Sequence, residues 1–89
     1  MDWDKLRIFH AVASAGSLTH AGDSLHLSQS AVSRQIRALE ESLGTSLFHR
    51  HARGLILTEQ GELLHEATRV MNKRLEAAAA RIRDSAEEV

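Results

Sequence analysis

Ser28-Gln29-Ser30-Ala31-Val32-Ser33-Arg34-Gln35-Ile36-Arg37-Ala38-Leu39, running on into Glu40-Glu41-Ser42-Leu43-Gly44, carries two patterns at once. Val32, Ile36, Leu39 and Leu43 recur at i, i+4, i+7 and i+11, the apolar stripe of an α-helix. Ser30, Ser33, Arg34 and Arg37 recur at i, i+3, i+4 and i+7 and form a polar stripe. At about 100° per residue, Ser30 and Val32 stand about 200° apart, so the stripes face opposite ways. One side is core. The other offers hydroxyls and guanidinium groups without a carboxylate among them. Ser28 is placed to cap the helix and Gly44 to end it.

Upstream, Leu6, Phe9, Val12 and Ala13 mark the apolar face of a first helix over Trp3–Ala15, with Asp2 as its cap and Gly16 as its stop. Ser17 caps a short second helix from Leu18 to about Leu25, whose inward residues are Leu18, Ala21, Gly22 and Leu25. The small pair Ala21-Gly22 permits another helix to approach closely. His26-Leu27 makes a tight connection to the third helix. Downstream, Leu47–Arg50 and Leu55–Leu57 read as short strands joined by His51-Ala52-Arg53-Gly54, where Gly54 is free to take positive φ. Thr58 caps a last helix reaching the 80s, roughly 40 Å long at 1.5 Å per residue. Leu64, Met71 and Ala78 fall at heptad a positions, Thr68, Leu75 and Ile82 at d, and Leu63, Ala67 and Val70 broaden the stripe. So small a domain cannot cover that face. The chain divides into a winged helix-turn-helix over residues 1–58 and a linker and dimerisation helix over 59–89. The fold class is mainly α: three helices, a two-stranded wing and the long helix.

A third helix of this kind fits the major groove of DNA. There arginine donates two hydrogen bonds to guanine and glutamine pairs with adenine. Gln29, Ser30, Ser33 and Arg34 are the residues expected at base edges, and Ser28 and Arg37 at phosphates. Arg53 at the wing tip suits a minor groove, Arg50 a flanking phosphate, and Thr58 completes the expected DNA-binding set. The expected dimer interface is Leu64, Ala67, Met71, Leu75, Ala78 and Ile82. Two other classes compete. A coiled-coil adaptor would use the long helix but has no need of the carboxylate-free face from Ser30 to Arg37. An enzyme would need a catalytic constellation, and the sequence holds no nucleophile–base pairing, phosphate-cradling glycine loop or paired carboxylate motif. His49 and His51 alternate with Arg50 and point to one side of a strand, but no third ligand accompanies them, so neither metal nor cofactor is expected.

Charge agrees modestly. The chain has 89 residues, no cysteine, no proline and a formal net charge of -1. The balance is -1 over Met1–Leu27, +2 over Ser28–Thr58 and -2 over Glu59–Val89, and every positive residue of the middle segment is arginine. One compact domain fits this length. With no membrane span or signal peptide in the sequence, a soluble, cytoplasmic protein is expected.

These residues resemble a family. Leu6-Arg7-Ile8-Phe9-His10-Ala11-Val12-Ala13-Ser14-Ala15-Gly16-Ser17 is similar to the first helix and turn of LysR-type transcriptional regulators. Residues Ala21 to Ile36 resemble their helix-turn-helix, and Leu39–Gly44, Leu47–Arg50 and Leu57–Gly61 continue the likeness. Phe48 to Gly61 also resembles the alphaproteobacterial VtlR-like branch. The resemblance implies binding to double-stranded promoter DNA as a homodimer on a two-half-site operator, and a tetramer for the full-length protein. It also implies a C-terminal domain, absent from this chain, that senses a small-molecule effector. Two positions depart from the pattern. Ser30 stands where many members have proline, and Gly22 replaces a commoner alanine, which should weaken the second helix by up to about 1 kcal/mol.

Overall fold

The computed structural model describes residues 1–52 and 54–87. Its elements are α1 (Trp3–Ala15), α2 (Leu18–Leu25), α3 (Gln29–Leu43), β1 (Phe48–His51), β2 (Gly54–Leu57) and α4 (Glu59–Glu87). Each helix begins on a side chain that accepts an otherwise unpaired backbone N–H. Asp2 accepts from Asp4, Ser17 from His20, Ser28 from Ala31 and Thr58 from Gly61. Gly16 and Gly44 close α1 and α3 in the left-handed conformation, and His26 (φ 58°) closes α2.

The core lies where the first three helices meet. Ile8, Phe9 and Val12 of α1, Ala21 of α2, and Val32, Ile36 and Leu39 of α3 are buried, together with Leu47 from the loop after α3. The α1 face is therefore centred on Ile8 and Phe9, with Leu6 and Ala13 half-buried at its edges. One expectation needs correcting here. Leu43, assigned to the buried stripe, is 38% exposed at the last turn of α3, and Leu47 enters the core from the loop that follows. At Gly22 the closest neighbour is the connection to α3, with the amide of Gln29 at the start of that helix 3.8 Å from where a Cβ would stand. A Cβ there would stand 2.7 Å from the Leu27 carbonyl oxygen, so the chain leaving α2 folds back over the glycine. The helix-weakening effect of Gly22 is thus offset by a turn that its missing side chain admits.

The hairpin pairs antiparallel, Phe48 with Leu57, His49 with Ile56, Arg50 with Leu55 and His51 with Gly54. Its first strand begins one residue later than the hydrophobic pattern suggests because Leu47 is engaged elsewhere. The Leu47 amide donates to the Glu40 carboxylate (2.6 Å), its carbonyl accepts from the Thr58 amide (3.0 Å), and its side chain is in the core. Leu47 thereby ties the end of α3, the wing and the start of α4 together. The ring of Phe48 packs against Phe9, with centroids 5.4 Å apart.

The first turns of α4 belong to the same compact body. Leu64 packs against the core, and Thr68 is buried. The Thr68 hydroxyl has a single proton, donated to the His65 carbonyl (3.0 Å). Toward His10 it therefore acts as acceptor, and Nδ1 of His10 carries the proton in that 2.9 Å bond. Beyond Met71 the helix runs past the domain, and the whole molecule measures 53 × 24 × 22 Å.

Candidate nucleic-acid interface

The outward face of α3 is built as its polar stripe requires. Ser28, Gln29, Ser30, Arg34 and Arg37 are exposed, and Ser33 is half-buried. Burial of Val32, Ile36 and Leu39 on the opposite side fixes the rotation of the helix, so the arginines point away from the core. Ser28 caps α3 with a lone pair and keeps its own proton for a further acceptor. The nearest carboxylate along the helix, Glu40, accepts from the Leu47 amide and borders the depression that Ser33, Arg37 and Arg50 also line.

The wing lies against this face. Alternation along β1 puts Phe48 and Arg50 on one side of the hairpin with Leu55 and Leu57, which pack toward the core. His49 and His51 are exposed on the other side with Ile56. The Arg50 guanidinium reaches back to α3 and donates from Nη2 to Ser33 Oγ at 3.4 Å. Ser17 and Thr19, at the start of α2, border the same depression as Gln29, Arg50 and His51. Neither was expected on this surface. Their signal in the sequence is the hydroxyl pair Ser17–Thr19 around the α2 cap, which reads equally well as capping alone.

The remaining expected DNA contacts fare differently. Arg53 lies outside the described residues. Thr58 is taken off the surface: it is only 7% exposed, and its hydroxyl donates to the Ser46 carbonyl (2.8 Å) while accepting from the Gly61 amide (3.0 Å). Its role is to anchor α4 to the wing, and that correction removes it from the DNA-contacting set. No group of three or more metal-ligating side chains forms among the described residues.

On α4 the expected interface residues separate into two groups. Leu64 packs against its own core and Met71 is half-buried beside α1, so both spend part of their apolar surface within the chain. Ala67, Leu75 (49% exposed), Ala78 and Ile82 (68% exposed) remain uncovered, as do Leu63 and Val70. Trp3, also exposed, borders an open groove with Leu6, Met71 and Leu75 and extends this apolar surface onto α1.

The sequence profile described as "Bacterial regulatory helix-turn-helix protein, lysR family" matches residues 3–62. The chain belongs to the LysR family. This LysR-family domain is 45% identical over 71 residues to the RuBisCO operon transcriptional regulator of Allochromatium vinosum, an alignment covering 80% of the chain and 24% of that regulator. It is also similar to the CbnR DNA-binding domain solved in complex with DNA (TM-score 0.79, 37% identity, 97% of this chain and 99% of that one). The BenM DNA-binding domain on benA site 1 DNA matches with a TM-score of 0.86 at 30% identity and full coverage of both chains. The LysR-family chain spans about a quarter of the length of most of the curated relatives it matches. Its fold and family make it a helix-turn-helix domain of the LysR family. No helix of the described residues is long and apolar enough to cross a membrane.

Proposed function

We propose that this domain reads double-stranded promoter DNA with α3 in the major groove and the wing over the flanking minor groove, as a homodimer on an operator of two half-sites. The observation that carries the reading is the exposed, carboxylate-free face of α3 from Ser28 to Arg37, with the hairpin set beside it. Gln29, Ser30, Ser33 and Arg34 address base edges. Ser28 and Arg37 address phosphates, and Ser17 and Thr19 stand where the adjoining backbone would pass. Residues 1–58 do the reading, and α4, from residue 59, joins two copies through Ala67, Leu75, Ala78 and Ile82. The similarity to domains solved on DNA supports this docking. The short coverage of the relatives supports a further C-terminal domain in the whole protein, where a small-molecule effector would act and through which tetramers would assemble. The function is regulatory, not catalytic, and is exercised in the cytoplasm.

The test is DNA binding by the 89-residue chain at several salt concentrations, on promoter fragments and on random duplex. Binding to a promoter fragment about a thousandfold or more above random duplex, with affinity falling steeply as salt rises, is expected. Equal, weak binding to both would refute the reading.

A further inference from the structure

The hairpin holds a residue that acts on DNA recognition through another side chain. Arg50 lies on the inner side of β1, two residues from Phe48 and opposite Leu55, both packed toward the core. Its side chain is exposed but leans toward α3, and its guanidinium ends on Ser33 Oγ at 3.4 Å. Ser33 is half-buried at the middle of the α3 face.

A serine hydroxyl has one proton and two lone pairs, and rotates to suit its partner. Arginine only donates. The bond from Arg50 therefore occupies a lone pair of Ser33 and leaves the serine proton to be given elsewhere. The usual alternative for a helical serine is the carbonyl one turn back. Ser33 makes no such bond in this structure: Arg50 is the one side-chain hydrogen-bond partner of its hydroxyl among the described residues. The neighbouring positive charge also polarises the hydroxyl and strengthens it as a donor.

We propose that Arg50 is a specificity-determining positioning residue, which fixes the Ser33 hydroxyl as a hydrogen-bond donor toward the major groove. This rests on the reading of α3 as the recognition helix. A fixed donor selects a base edge that accepts: O6 or N7 of guanine, N7 of adenine, or O4 of thymine. It disfavours the N4 amino group of cytosine, which could meet only the second lone pair of a hydroxyl already accepting from a cation. Without Arg50 the hydroxyl turns either way and pairs with a donor or an acceptor, so the selection is lost while the contact survives.

The test is selection from a pool of random-sequence duplexes by the wild-type chain, Arg50→Met, Ser33→Ala, the double variant and Arg34→Ala, followed by affinity measurements on single-base variants of the selected site. Arg50→Met keeps the aliphatic stem over the hairpin and is expected to melt with the wild type. Arg50→Met and Ser33→Ala should each lose discrimination of about tenfold at the same base pair, and the double variant should lose no more than Ser33→Ala alone. Uniform weakening by Arg50→Met on all duplexes, with base preference intact and the loss additive to that of Ser33→Ala, would make Arg50 a phosphate clamp and overturn the proposal. Ser33→Ala leaving every preference intact while Arg34→Ala alters one would overturn it too, with the recognition-helix reading left standing. If neither Ser33→Ala nor Arg34→Ala changes binding, that reading falls and this proposal with it.

Discussion

At Gly61 a Cβ would fall onto the carbonyl oxygen of Leu47 and against the side chain of Leu57. The carbonyl is backbone, and it is already held by the Thr58 amide, so it cannot yield as a flexible side chain would. Helix propensity alone predicts that Gly61→Ala stabilises α4 by about 1 kcal/mol. The collision predicts the opposite, an overpacking loss of about 3 kcal/mol, for a net loss of about 2 kcal/mol. That corresponds to a fall in melting temperature of roughly 10 °C for a domain of this size. A melt that is unchanged or raised would mean that α4 does not seat on Leu47 as described. The sequence shows the glycine and the Leu57-Thr58 step before it, but the partner lies 14 positions away in the chain, so its reason is invisible to any local pattern. Arg34 is the contrasting case. Its place on the α3 face is legible from helical spacing alone, and the structure exposes it as that spacing requires. Arg34→Ala is expected to cost about 1–3 kcal/mol on the selected site and much less on random duplex. Equal losses on both would assign it to a phosphate.

Between elements, the seat of α4 on α1 is the least legible part of the fold. Helices, caps and stops were readable because each is written within a few residues: Asp2, Ser17, Ser28 and Thr58 all cap as their positions suggest. The apolar stripe of α4 was readable too. Which part of it meets its own domain was not, because the heptad spacing is the same for an internal and an external partner. The structure resolves this through His10 and Thr68, which join α1 to α4, with the His65 ring 5.5 Å from that of His10. Burial is the main cause that holds the His10 pKa below its ordinary 6.5; neighbouring His65 lowers it further, against an opposing pull from Glu76. The folded protein thus takes up this proton less readily than the unfolded chain. The contribution is fully present above pH 6.5 and is lost as pH falls through the lowered value. Arg7 lines the same groove and adds positive charge on the α1 side. The wild-type melting temperature should therefore decline as pH is lowered below 6.5, and His10→Gln, which keeps a donor for Thr68, should decline less steeply. Parallel pH profiles for the two proteins would exclude His10 as the source.

For the molecule as a whole, the apolar surface left exposed is what the proposed pairing with a second copy would cover. The 29-residue α4 is far longer than the body it starts from, and past Met71 its large apolar residues stay exposed, Leu75 at 49% and Ile82 at 68%. Leu75, Ala78 and Ile82 continue the row that Leu64 and Thr68 begin against the core, and Trp3 and Leu6 lead the uncovered surface onto α1. The short side chain of Ala78 lets a facing helix come close between the larger two. A two-fold pair buries both copies of this surface at once, and the same symmetry presents two recognition helices to an operator with two half-sites. The chain is therefore expected to be a dimer at micromolar concentration. Leu75→Glu with Ile82→Glu would place unpaired carboxylates in that contact, at a cost of several kcal/mol. Both positions are exposed in the single chain, so the variant should keep its helical content and its melt as a monomer. It should sediment as a monomer, retain weak binding to one half-site, and lose most of its affinity for the paired operator. A wild-type chain that sediments as a monomer at high concentration would sink the dimer. A variant that remains dimeric would move the interface to the other uncovered face of α4, along Leu63 and Val70, where glutamates at these two positions then become the deciding pair.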